Sequence, residues 1–205
     1  MMLGRAAVAM WWDVPPKVRA EWEDWHTNEH MPERLGTPGF LRGSRWVAES
    51  GKPSYFVLYE VTDLKTITSG PYVERLNNPS PWSKKMMPHH RNMVRSLCTV
   101  RASSGGGLAG MAATIRFSGG MPALLPERKG LTGAHALDAI PAADTPQTAE
   151  QKIRGGGDAH ADRVILLCGY DVEAIKAAAA QLASPDATVG LYHLAYSMTS
   201  RDLTR

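Results

Sequence analysis

The segment Trp25-His26-Thr27-Asn28-Glu29-His30-Met31-Pro32-Glu33-Arg34-Leu35 holds the densest group of side chains able to do chemistry. On a helix, Trp22, His26 and His30 fall on one stripe at i, i+4 spacing, and Trp25 and Glu29 form the adjacent stripe. One face then carries two imidazoles, a carboxylate and indole walls. Polar groups among aromatics on a core-facing helix read as the lining of a pocket. A histidine, with an ordinary pKa near 6.5, can give or take a proton at neutral pH, so the chemistry implied is acid–base work centred on His30. Glu29 points about 100° away from His30 around a helix axis, so a partner for that ring is expected from a strand, with Tyr59 and Arg45 as the candidates. An arginine beside the pocket suits a carboxylate or enolate oxygen, which its planar fork can hold with two charge-assisted hydrogen bonds. Arg34 and Arg45 are placed for that, with a surface ion pair as the alternative for each.

Read literally, His26 to His30 is H-x-x-E-H, the inverted zinc-peptidase pattern, in which two histidines bind zinc and the glutamate activates water. The spacing is sound, but no third ligand is apparent and Pro38-Gly39 ends the helix at once, so no metal is expected. His89-His90 follow Pro88 in a loop that could overhang the pocket. His90 is a candidate for substrate binding, and solvated loop histidines are the alternative. His135, His160 and His193 are isolated and take no role. Gly105-Gly106-Gly107 and Gly155-Gly156-Gly157 lack the pattern of a nucleotide-binding loop and read as linkers.

These residues must be positioned by a core, and the 205-residue chain is long enough to bury one. Hydrophobic residues make up 43% and charged residues 21%, and the net charge of +3 comes without long basic runs, against a nucleic-acid partner. Two cysteines, Cys98 and Cys168, cannot build a disulfide scaffold. No stretch approaches the ~20 apolar residues of a membrane span, and the apolar start, Ala6 to Trp12, reads as a buried strand, so a cytoplasmic protein is expected.

All six tryptophans lie in the first 82 residues, and the rest is richer in alanine and glycine. A boundary is expected near Ser103-Ser104-Gly105, dividing the chain into residues 1–103 and 108–205. In the first part, Gly4–Trp12, Phe40–Glu49, Tyr55–Val61 and Val94–Ala102 read as strands, with an amphipathic helix from about Val18 to Leu35 and a Pro-interrupted helical stretch over 64–93. The order is βαββαβ, the split-βαβ or ferredoxin-like plait. The second part repeats it more weakly, with strands at 111–117, 134–140, 163–170 and 188–198 and an Ala-rich helix at 172–182. Its first helix is missing, since 119–130 is broken by proline and glycine. The fold class is therefore α+β, a tandem of ferredoxin-like repeats with a degenerate second copy.

The pattern Trp25, then Glu29-His30-x-Pro32-x-Arg34-Leu35, then Pro38-Gly39-Phe40, then Arg42 and Arg45, resembles the dimeric α/β-barrel superfamily, and within it the EthD-like proteins and their uncharacterised bacterial relatives. The likeness spans residues 5–100 and includes the strand Tyr55–Glu60 and Trp82; the second half matches in strand order alone. It implies two plaits packed sheet to sheet and a cavity between sheet and helices. It also implies a reaction drawn from a superfamily that includes cofactor-free monooxygenases, muconolactone isomerases, polyketide cyclases and haem enzymes.

Together these readings predict a small-molecule enzyme without a cofactor, a lyase or isomerase acting on an aromatic or polyketide-like compound in a barrel cavity. His30, Arg45 and Tyr59 would carry the chemistry, and Trp22, Trp25, His26, Arg34, Trp82 and His90 would bind substrate. A homodimer is expected. The alternatives are a non-catalytic carrier of a hydrophobic ligand and a metal- or haem-dependent, monooxygenase-like oxidoreductase.

Overall fold

A computed structural model describes residues 2–122, 127–141 and 147–204. Eight strands close into one antiparallel barrel: β1 (Ala6–Asp13), β2 (Phe40–Ala48), β3 (Tyr55–Val61), β4 (Arg91–Gly105), β5 (Met111–Phe117), β6 (Leu131–Ala139), β7 (Arg163–Gly169) and β8 (Thr188–Thr199). Their order around the barrel is β1-β3-β2-β8-β5-β7-β6-β4. The first four strands therefore run β4-β1-β3-β2 and the last four β8-β5-β7-β6, the same fourth-first-third-second order of the split-βαβ plait. The strand pairs β2–β8 and β4–β6 join the two sets into one sheet without a free edge. Thus β1 and β5 hold equivalent places, as the repeated strand order predicts.

Alternation along the strands divides the apolar residues into layers, because successive side chains point to opposite faces. Trp11 faces inward with Trp46, Phe56, Leu58 and Tyr192, filling the barrel with large side chains. Trp12, one residue on, faces outward into a second layer with Trp22, Trp25, Met31, Tyr55 and Tyr59, beneath the helices of the first half. A third layer lies under α6 (Val172–Leu182), where Ile175, Ala178 and Ala179 cover β5 and β7. Filling of the barrel core corrects the expected barrel cavity: the predicted site residues lie outside the barrel, between its wall and the helices.

The first helical region is α1 (Arg19–Trp25), a π-turn over His26–His30, and α2 (Met31–Leu35). Pro32 has no N–H to donate to the carbonyl four residues back, and the ladder slips by one residue just before it: the Met31 amide bonds the His26 carbonyl. The region 64–93 resolves into α3 (Gly70–Asn77) and α4 (Pro81–Met86), each opened by a serine, Ser69 or Ser80, that accepts a backbone N–H. Gly43 lets α2 approach β2 closely, since a Cβ there would meet the Tyr59 ring at 2.9 Å and the Met31 side chain at 3.0 Å. Gly43→Ala should therefore overpack this contact and cost about 1–3 kcal/mol, measurable as a lower urea midpoint.

Two expectations about the second half change. The boundary near Ser103-Ser104-Gly105 lies within β4, where Ser103 opposes His135 and Gly105 opposes Gly133; alternating small residues suit a strand as well as a loop. A short helix that hydrophobic periodicity did not reveal, α5 (Ala149–Arg154), starts with a reciprocal Thr148–Gln151 capping box. The missing helix between β5 and β6 involves residues 123–126, which lie outside the described residues; 118–122 and 127–130 contain none. No helix among the described residues is long and apolar enough to cross a membrane.

Candidate active site

The π-turn aims His26 and His30 at the outer wall of β1, β3 and β2, and His90 arrives beside them from the start of β4. Ring to ring, His26 lies 5.6 Å from His30 and stacks on Trp22 at 5.0 Å, while His30 lies 4.5 Å from Trp25. His90 is 4.9 Å from Trp12 and accepts a 2.9 Å hydrogen bond from Trp22 Nε1. The stripe inferred from i, i+4 spacing is therefore present, and it is sealed: His26 and Trp25 are within 1% of full burial and His30 is 8% exposed.

Glu29 is turned away from His30, as helix geometry predicts, and is held by Trp25 Nε1 at 3.1 Å and by the hydroxyls of Ser80 and Ser83. That serves positioning of the Trp25 wall. The expected orientation of His30 by Tyr59 or Arg45 is not what the structure contains. Arg45 instead turns to the first turns of the helix, donating to the Glu23 carbonyl and the Thr27 hydroxyl at 3.0 Å and approaching His26 Nδ1 at 3.5 Å. Tyr59 lies buried, and its hydroxyl meets no hydrogen-bond partner among the described residues. Neither arginine forms a surface ion pair: Arg45 lies between the Trp22 and Tyr196 rings at 5.9 and 5.8 Å, and Arg34 pairs with Glu150 in the interior. His90 is buried rather than a solvated loop residue, whereas Trp82 is half-buried at the edge of the same apolar layer, with its ring hydrogen-bonded to the Glu21 carboxylate.

Burial dominates the electrostatics. It drives His26 well below the ordinary histidine pKa, aided first by the Arg45 charge, and does the same to His30, aided first by Arg34. His90 is pushed down to about 3 by burial, then by Arg154. All three are neutral at pH 7. The Tyr59 hydroxyl is pushed up, chiefly by desolvation, and stays protonated. Trp12 Nε1, His26 Nε2, His30 Nδ1, Arg34 Nη1, Arg45 Nε, Tyr59 OH and His90 Nδ1 are buried without a hydrogen-bond partner among the described residues. Buried polar atoms are normally paired, so their concentration in one aromatic layer sets it apart from ordinary core and makes it the candidate site. Among the described residues no group of three or more His, Cys, Asp or Glu side chains is arranged to hold a metal ion.

Sequence reasoning missed Trp12, the Tyr55 hydroxyl that donates to Glu23 Oε1 at 2.6 Å, and Glu150. The Trp11-Trp12 pair held a usable signal, since strand alternation sends one ring inward and the other toward the helices. No local pattern links Glu150 to Arg34, 116 residues away; the barrel brings α5 over the first half's layer. Removing Glu150 leaves Arg34 buried and uncompensated. Glu150→Ala is expected to cost about 3–5 kcal/mol in urea unfolding, and Arg34→Met with Glu150→Leu to recover most of it.

No family model matches the chain and no curated protein is similar to it. Among solved structures, an anthrone oxidase-like protein superposes with a TM-score of 0.58 at 8% identity, over 95% of this chain and 92% of that one. A protein of Fusobacterium nucleatum subsp. nucleatum, provisionally named a monooxygenase, gives 0.57 at 8% identity over 97% and 96% of the two chains. Another provisionally named monooxygenase, from Lactobacillus acidophilus, gives 0.52 at 7% over 95% and 96%. With two plait orders closing one eight-stranded sheet, the architecture is settled. The chain has the dimeric α/β-barrel fold. At these identities the likeness is one of fold, and the α/β barrel here is completed by one polypeptide rather than two.

Proposed function

We propose that this α/β-barrel protein is a small-molecule enzyme that moves a proton at an activated carbon of an aromatic, enolisable substrate without an organic cofactor. The observation that carries this reading is the sealed layer of three neutral imidazoles among tryptophans, with seven polar atoms lacking partners. His30 takes the proton from a C–H conjugated with a carbonyl, adjacent to it or across an aromatic ring as in anthrone, and the released electron pair moves through the conjugated system onto the carbonyl oxygen. Buried donors stabilise that developing charge more strongly than water would. Trp22 and Trp25 hold the flat body of the substrate, and Tyr59 and the Arg45 guanidinium supply further donors; every one of these groups comes from a single chain.

The enolate has two fates. Return of the proton to another carbon completes an isomerisation. Transfer of electrons from the enolate to O2 forms a C–O bond and a peroxide, and loss of water then converts the CH2 to C=O. The names of the similar structures favour testing the second fate, and anthrone is the probe. Under argon, the protein should accelerate exchange of the anthrone methylene hydrogens for deuterium; under air, it should yield the quinone with uptake of one O2. Neither exchange nor oxidation above the rate of buffer would reject an enzyme of this class acting on such a ligand.

A further inference from the structure

We propose that His26, His90 and Trp12 form a cradle of N–H donors that takes an oxygen acceptor of the ligand, a carbonyl or enolate oxygen on a planar ring system, leaving His30 alone free to act as base. This rests on the functional reading above for its ligand and goes beyond it in assigning each ring its proton.

The assignment follows from which partners can only donate. An indole N–H has no lone pair to offer. Since Trp22 Nε1 lies 2.9 Å from His90 Nε2, that nitrogen must be the acceptor, and a neutral His90 carries its proton on Nδ1. A guanidinium also only donates. Arg45 Nη1 gives its two hydrogens to the Glu23 carbonyl and the Thr27 hydroxyl, and its positive charge 3.5 Å from His26 Nδ1 favours a lone pair on that nitrogen, so a neutral His26 carries its proton on Nε2. The two nitrogens thereby made donors, His90 Nδ1 and His26 Nε2, are the ones buried without an acceptor, and so is Trp12 Nε1. The Trp12 ring lies 4.9 Å from His90 and 6.3 Å from His26. Three N–H groups, with no carboxylate or carbonyl among the described residues to receive them, define a site that accepts oxygen lone pairs and rejects another donor. His30 has no such lock: among the described residues its Nδ1 meets no hydrogen-bond partner.

Long-range 15N–1H spectra of the imidazole rings at pH 7 test the assignment directly. His90 is expected as the Nδ1–H form, the minor tautomer of a free histidine, and His26 as the Nε2–H form; Trp22→Phe should return His90 to Nε2–H. Binding is tested with three tricycles of one shape, by quenching of tryptophan fluorescence: 9-fluorenone offers a carbonyl, fluorene neither donor nor acceptor, and carbazole an N–H. Fluorenone should bind about tenfold more tightly than carbazole, the yield of one net hydrogen bond, and shift the His26 and His90 proton-bearing nitrogens. An Nε2–H form of His90 in the unaltered protein, or carbazole binding as well as fluorenone, would overturn the proposal. If anthrone is neither exchanged nor oxidised while both results hold, the cradle stands and the catalytic reading falls.

Discussion

Replacement of His30 by Gln is expected to lower the rate of deuterium exchange into anthrone by about 10²–10⁴, the range for loss of a positioned acid or base. Glutamine keeps similar size and can still hydrogen-bond, but it cannot take a proton at neutral pH. Burial and Arg34 hold the His30 pKa well below the ordinary value, so the imidazole is in its basic form throughout the neutral range. The acid limb of the pH–rate profile should accordingly lie below pH 6.5, as far down as the fold survives. Folding should tolerate the change, with a shift of roughly 1 kcal/mol, because His30 contacts Trp25 without being hydrogen-bonded into the wall. His89→Gln, one residue before His90 and half-buried at the surface, should leave the rate unchanged. A His30→Gln protein that folds and exchanges anthrone at the normal rate would remove His30 from the chemistry. Loss of the fold in that variant would make it a structural residue.

The α/β-barrel order was legible in the sequence chiefly because β1 and β3 are nearly continuous apolar runs, the first ended by Asp13 and two prolines and the second preceded by Pro53, whereas β2 and β4 mix polar and apolar residues. Tyr55–Val61 reads the same in sequence and structure for that reason. Regular helical spacing also sufficed to bring Trp22, His26 and His30 together, since a π-turn changes the angle per residue too little to separate i from i+4. What sequence could not supply is the third dimension of the site. Whether Arg45 reaches His30 or His26 depends on the offset of β2 beneath the π-turn. Whether His90 is solvated or sealed depends on α5 and Trp12 closing over it from distant parts of the chain. The barrel's interior was misjudged for a similar reason: Trp11 was legible as core from the apolar run Ala6 to Trp12, but with Trp46 and Phe56 it fills the space a cavity would have occupied.

Acid is expected to unfold this protein early, and the histidines of the site are the cause. His26, His30 and His90 all have folded-state pKa values below those of exposed histidines, and His135, held on Ser103 Oγ at 2.8 Å, is pushed down to about 4 by burial. In the unfolded chain each returns to about 6.5. Between that value and the lower folded value, only the unfolded state binds the proton, so stability rises with pH across this window. The contribution is complete above about 6.5 and is lost as the pH falls toward 3–4. Each histidine adds about 1.4 kcal/mol per pH unit within the window, so the four together give a slope of about 5 kcal/mol between pH 6 and pH 5. Against a total stability of about 5–15 kcal/mol, that is enough to bring unfolding within a few pH units of neutrality. Urea midpoints measured at pH 7.5, 6 and 5 give the slope, and His26→Gln with His90→Gln should reduce it by about half. The double variant is destabilised at pH 7.5, since Trp22 and Arg45 lose their partners, yet it should lose less on acidification. An unaltered slope would mean that these rings are already protonated or open to water in the folded protein. The donor cradle would then be untenable, because it depends on His26 and His90 imidazoles that stay uncharged and enclosed at neutral pH.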